Sequence, residues 1–158
     1  MKAAPTLEGG LRLDAEDASD WGLLQGIITD ATGEGPDLAS RLGGMIAEES
    51  GGEDWRELVV PDLREAFQDE LAQIGAAIES AVFAAHGGPG SIWISREDAY
   101  AWYSALNQAR LTIEDQFQFG PGEDIVAAEL KPIKRRRAFI RNMFYLGIQS
   151  CLLEFALR

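Results

Sequence analysis

This chain is poor in the residues that carry most enzyme chemistry. It has one cysteine, Cys151, and one histidine, His86, in 158 residues. A lone cysteine excludes an intramolecular disulfide and any cysteine-only zinc site, and one histidine beside it excludes the usual mixed zinc sites. No Glu-x-x-His pair occurs, so a di-iron bundle lacks its ligand pattern. HExxH, the P-loop and the glycine pattern of dinucleotide binding are missing too. No catalytic motif is found, and no metal and no cofactor is expected. Positive charge is scarce: fourteen basic residues face twenty-six acidic ones, a net charge of −12, which keeps nucleic acid away at long range. No unbroken apolar run reaches membrane-spanning length, because Arg141, Asn142, Gln149 and Glu154 interrupt the most apolar stretch. No basic-plus-apolar leader opens the chain, so a cytoplasmic location is expected, with no membrane contact.

What is present describes an ordered domain. Hydrophobic residues make up 46% of the chain, and four tryptophans argue against disorder. The length suits a single domain over 1–158. The most apolar stretch, 138–157, carries apolar residues on nearly every side of a helix. It is expected to be a buried C-terminal helix that the other helices enclose. Gly147 costs helix propensity, so a close helix contact is expected there. Arg141 inside the stretch calls for a carboxylate partner, since a buried unpaired charge is very costly.

The remaining pattern is mostly helical. Residues 1–10 read as a loose start and 11–13 as a short strand. Asp14 is the expected cap of a first helix whose apolar face is Ala18, Trp21, Leu24 or Leu23, Ile28 and Ala31. Pro36 opens a second, weaker helix with Gly43-Gly44 inside it. Pro61 suits the first position of a long third helix, along which Leu63, Phe67, Leu71, Ile74, Ile78 and Val82 recur at three or four residues. Gly87-Gly88 ends it, with His86 as a C-terminal cap. A second strand at 92–94 leads through Ser95, with Asp98 in the reciprocal position, into a fourth helix reaching about 117. A short helix is expected over 124–130. Leu11 to Ala18 followed by Trp21 resembles Ile92 to Ala99 followed by Trp102: strand, cap, Glu-Asp-Ala, then tryptophan. This is either a duplication or two uses of the same cap chemistry. In both cases the strands must satisfy their backbone groups, so 11–13 and 92–94 are expected to pair. The fold class is mainly α: a single-domain helical bundle with a two-stranded β-ribbon.

Ala105-Leu106-Asn107-Gln108-Ala109-Arg110-Leu111 follows Glu97-Asp98-Ala99 and Trp102, and Gln149-Ser150-Cys151-Leu152 precedes Ala156-Leu157. Together these resemble an uncharacterised, mainly actinobacterial family, a domain of unknown function whose gene often lies beside that of the ClpS protease adaptor. The resemblance covers mainly 90–158, with the strand-and-cap start at 11–21 in place. It implies no catalytic residues and a link to regulated proteolysis.

Two polar groups stand out. Asn107, Arg110 and Glu114 share one stripe of the fourth helix, where an Arg fork and an orienting amide would suit a small anion or a peptide terminus. The plainer reading is an Arg110–Glu114 surface pair. Lys134, Arg135, Arg136 and Arg137 form a basic run that would suit phosphate, yet no nucleic-acid motif accompanies it. The plainer reading is a solvated face balanced by the carboxylates at 48–54 and 65–70. Cys151 reads as an inert core thiol. Trp55, Trp93 and Tyr100 are the aromatics whose exposure would mark a binding surface. The sequence thus suggests a cytoplasmic, non-enzymatic regulatory or protein-interaction domain, linked to protein turnover. A protein partner is expected, with self-association as a further expectation, whereas a nucleic-acid partner is not favoured. The alternatives are a ligand binder or enzyme built on Arg110, and a nucleic-acid binder built on 134–137.

Overall fold

The structure, a computed structural model, describes residues 1–50, 53–121 and 130–158. Within them lie three strands, β1 (Lys2–Pro5), β2 (Leu11–Ala15) and β3 (Gly90–Ile94), and five helices. The helices are α1 (Ala18–Thr32), α2 (Leu38–Ser50), α3 (Glu53–Ala85), α4 (Ala99–Phe117) and α5 (Ile133–Phe155). The mainly helical expectation holds. The helix expected over 124–130 falls largely outside the described residues, as does the side chain of Trp55.

The strands pair as foreseen, antiparallel, with Leu11 opposite Ile94, Arg12 opposite Trp93 and Leu13 opposite Ile92. The sheet has three strands rather than two, however, because β1 adds to the free side of β2, Pro5 opposite Leu11. Lys-Ala-Ala-Pro carries no strand propensity. It pairs because β2 offers unpaired backbone groups and a tight turn returns the chain to them. In that turn the Gly10 amide donates to Thr6 Oγ1 at 2.8 Å, and Gly9 takes φ +84°, which glycine adopts without strain. Leu11, Leu13, Ile92 and Ile94 point inward and are fully or almost fully buried. Arg12 and Trp93 face out.

The start of α1 lies three residues later than expected. Asp17, not Asp14, is the cap, and its Oδ1 accepts from the amides of Ser19 and Asp20. Asp14 stays in β2, where it accepts from the Ser91 hydroxyl at 2.6 Å. Helix α4 likewise starts three residues later than a Ser95 cap would place it, with Asp98 at the cap position; Ser95 Oγ accepts from the Asp98 amide and donates to its Oδ2, fixing the turn ahead of the helix. Trp21 and Trp102 of the two similar segments are both buried, and the Trp21 indole N–H donates to the Gly88 carbonyl at 2.7 Å.

Pro61 does not begin the third helix. It sits inside α3. Pro61 and Glu57, whose carbonyl it leaves without a donor, are both on the exposed side, where water can supply the missing hydrogen bond. The Gly43 that weakened the second helix has a packing role. A Cβ there would lie 2.1 Å from Val60 Cγ2, so only glycine lets α3 come this close to α2. Arg41 and Arg64 complete the attachment of α2 through ion pairs to Asp115 and Asp37.

The centre of the bundle is α4, not the C-terminal helix. Ala99, Trp102, Ala105, Leu106, Ala109 and Ile113 are buried, with α1, α3 and α5 packed around them. Three alanines on that face let neighbours approach. Helix α5 buries only one face, through Ala138, Tyr145, Ile148, Gln149 and Leu152. Ile133, Ile140, Met143, Leu146 and Leu153 remain exposed. Gly147 marks no close contact, since nothing lies within 4 Å of a Cβ placed there. The close approach of α5 occurs at Gly26 of α1, where a Cβ would lie 2.8 Å from the Tyr145 hydroxyl.

Candidate functional site

Helical spacing does bring Asn107, Arg110 and Glu114 together. With Leu111, Gly120 and Asn142 they line a cavity of about 380 Å³ between α4 and α5. The internal pairing differs from the surface pair. Arg110 Nε donates to Asn142 Oδ1 at 3.1 Å and its NH1 to Gln149 Oε1 at 2.6 Å. Glu114 instead accepts from the Gly120 amide at 2.7 Å. Gln149 is buried, and its amide nitrogen donates to the Tyr103 carbonyl at 3.2 Å. Arg110 therefore fastens α4 to α5 through neutral amides. Among the described residues no carboxylate forms an ion pair with it, and Glu114 is the carboxylate that shares its cavity. Asn142 and Gln149 were visible in the sequence only as interruptions of an apolar helix. The interruption itself was the signal, because a polar residue on the buried face of a helix needs a partner.

Arg141 has the carboxylate it requires. Its Nε and NH2 donate to Asp30 Oδ2 and Oδ1 at 2.7 and 3.0 Å, the two-pronged geometry that suits guanidinium and carboxylate. The Tyr145 hydroxyl donates to Asp30 Oδ2 at 2.7 Å. Burial first, then that hydrogen bond and the carboxylate charge, push the Tyr145 phenol well above its ordinary value. These three groups satisfy one another and link α1 to α5. Asp30 and Tyr145 were not singled out by sequence reasoning, since they lie more than a hundred positions apart.

The basic run is divided. Arg135 NH1 donates to the Phe117 carbonyl, and its guanidinium lies 4.5 Å from the centre of the Phe119 ring. It is a packing residue. Lys134, Arg136 and Arg137 are exposed and form no ion pair with a described carboxylate, so the balancing by the carboxylates at 48–54 and 65–70 does not appear there. Cys151 is half-buried. Its thiol is pushed up by burial and then by Glu154, which lowers its reactivity.

The outer face of the sheet holds a second concavity, about 950 Å³, between the β1–β2 turn and the segment following β3. Its floor is Arg12 and Trp93, with the guanidinium 5.3 Å from the ring centre. Leu7 and Arg96 stand at its sides. Trp93 is 65% exposed and Leu7 fully so. Of the aromatics in question, Trp93 and Tyr100 are thus both exposed. No helix among the described residues is long and apolar enough to cross a membrane.

No curated protein and no solved structure matches the chain. Residues 34–154 match a family model, a span that takes in α2 to α5 together with β3 and extends well ahead of the 90–158 segment that carried the resemblance. With most of its length inside that match, the chain belongs to the family described as a domain of unknown function, DUF2017.

Proposed function

We propose that this is a non-enzymatic protein-interaction domain of the cytoplasm that binds a partner segment in the groove on the outer sheet face. The observation that carries the reading is the pairing of a solvated tryptophan and a fully solvated leucine with two guanidinium groups in one open concavity. Folding gains nothing from leaving large apolar side chains in water, whereas binding gains from covering them. Glu8 and Glu97 line the concavity beside Arg12 and Arg96, and Arg12 is paired with Asp14, so the groove suits a partner segment with an apolar anchor and polar neighbours of mixed charge. The resemblance to a family whose genes lie beside that of the ClpS adaptor supports a role in regulated protein turnover. Affinity capture from the source cell tests this, with the native chain and Trp93→Ala run in parallel. A protein held by the native chain and lost from the variant, with helical content unchanged, is the expected result. Capture that ignores the substitution, or no capture at all, overturns the reading.

A second reading rests on the charge of Arg110. Held among the described residues by the amides of Asn142 and Gln149, in a cavity that Glu114 also lines, it offers a site for a small anion such as phosphate or a carboxylate. Phosphate that stabilises the native chain against heat but not Arg110→Gln is the expected outcome. Equal responses of the two chains would end it.

A further inference from the structure

The outer stripe of α5 has a symmetry that the fold does not use. Arg136, Ile140, Met143, Gly147, Ser150 and Glu154 all lie on the exposed side of the helix. They are arranged in pairs equidistant from Tyr145: Met143 with Gly147, Ile140 with Ser150, and Arg136 with Glu154. Each pair sets a large side chain against a small one, or a cation against an anion. Leu146 and Leu153 widen the apolar face on one flank. On the other, a shallow hollow of about 250 Å³ is lined by Met143, Phe144, Gly147 and Cys151 together with Ala3 and Leu13 of the sheet.

From this we infer that α5 is a self-association surface whose occupant is the α5 of a second copy, packed antiparallel about a twofold axis near Tyr145. A twofold axis brings each residue against its counterpart across the centre. Met143 of each copy then enters the open space over Gly147 of the other, where nothing lies within 4 Å of a Cβ position. Ile140 covers Ser150, whose hydroxyl already donates to the Leu146 carbonyl at 2.9 Å and so enters the interface satisfied. Arg136 meets Glu154 at both ends of a contact about 27 Å long. Charge selects this direction. A parallel pair would place Arg136 on Arg136 and Glu154 on Glu154. The exposed cations at 134, 136 and 137 also oppose the repulsion between two chains that each carry −12.

Sedimentation equilibrium of the full chain over a wide dilution series tests the inference. The expected result is a reversible monomer–dimer equilibrium. Met143→Glu abolishes the dimer, with circular dichroism unchanged because the residue is exposed in the monomer. Arg136→Glu alone and Glu154→Arg alone each weaken the dimer by roughly tenfold or more, and the double exchange restores it. Trp93→Ala, in the separate sheet groove, leaves the dimer constant untouched, so failure here and failure of the groove reading are read independently. A chain that stays monomeric at every concentration overturns the inference. So does a dimer indifferent to Met143→Glu, or one that the double charge exchange does not rescue. Capture of a different protein by α5 in a chain that never dimerises would count as the same negative result.

Discussion

Helices α4 and α5 lie side by side and share one core, yet they are built on opposite plans. Helix α4 places alanines, a leucine and an isoleucine on a continuous inner face and is enclosed by three helices. Helix α5 holds most of the chain's most apolar stretch, 138–157, but spreads its apolar residues around the cylinder, and Ile140, Met143 and Leu153 stay in water. Centrality follows from how closely neighbours can approach, not from hydrophobic content. Small residues at Ala99, Ala105 and Ala109 permit that approach. The two arginines repeat the contrast. Arg141 is neutralised by a carboxylate and links α1 to α5, while Arg110 is held by amides and links α4 to α5.

The sharpest way to break this comparison is a matched pair of leucines. Leu106→Ala, at 0% exposure in α4, should cost about 3 kcal/mol or more. Leu153→Ala, at 50% exposure in α5, should stay within about 0.5 kcal/mol in dilute monomer. Urea titration measures both, and equal losses would restore α5 to the centre. Next in size is Asp30→Ala, which strands Arg141 and the Tyr145 hydroxyl. Because the guanidinium is partly solvated, about 2–3 kcal/mol is expected, below the full penalty of a buried orphan charge. Arg110→Gln, which leaves no charge behind, should cost less than that.

Glycines sharpen the contrast with smaller effects of opposite sign. Gly147→Ala meets open space and should stabilise the monomer by up to about 1 kcal/mol through helix propensity. Gly26→Ala meets the Tyr145 hydroxyl at 2.8 Å, and its clash should outweigh the same gain, for a net loss of about 1 kcal/mol. Thermal unfolding of the two variants gives the signs directly.

The smallest effect is the pH response of the α1–α5 link. The folded Tyr145 phenol lies above its unfolded value, so its contribution is complete below pH 10, the ordinary tyrosine range, and is lost as pH rises beyond it. Ultraviolet titration should show one of the three tyrosines ionising only with unfolding, and Tyr145→Phe should remove that lag. Asp14 has the opposite sign. Its carboxyl is held below the ordinary range first by the Ser91 hydroxyl, against desolvation, with help from Arg12. Its contribution is present above about pH 4 and lost as acid protonates it, so Asp14→Asn should differ least from the native chain in acid.

Local rules reached a good part of this molecule. The β2–β3 pairing, the extent of α4 to about residue 117, the contact between Ser95 and Asp98 and the carboxylate demand of Arg141 all follow from nearby residues. What escaped did so for identifiable reasons. Strand β1 has no propensity of its own and exists only because β2 has a free edge. Pro61 reads as a helix start, yet a solvated face tolerates it in a helix interior. Asn107, Arg110 and Glu114 converge as helical spacing requires, but the hydrogen-bond partners of Arg110 come from α5, which no spacing rule could supply.

Local pattern alone was enough to establish that this protein is mainly helical and that β2 pairs with β3. Periodicity, capping and composition are properties of neighbouring residues, and they survive without coordinates. Only the tertiary structure decided that α4 is the centre, that Arg110 is held by amides, and that the outer face of α5 and the Trp93 groove remain uncovered. Those outcomes depend on which surfaces meet at close range, and that is set by the shape of side chains distant along the chain.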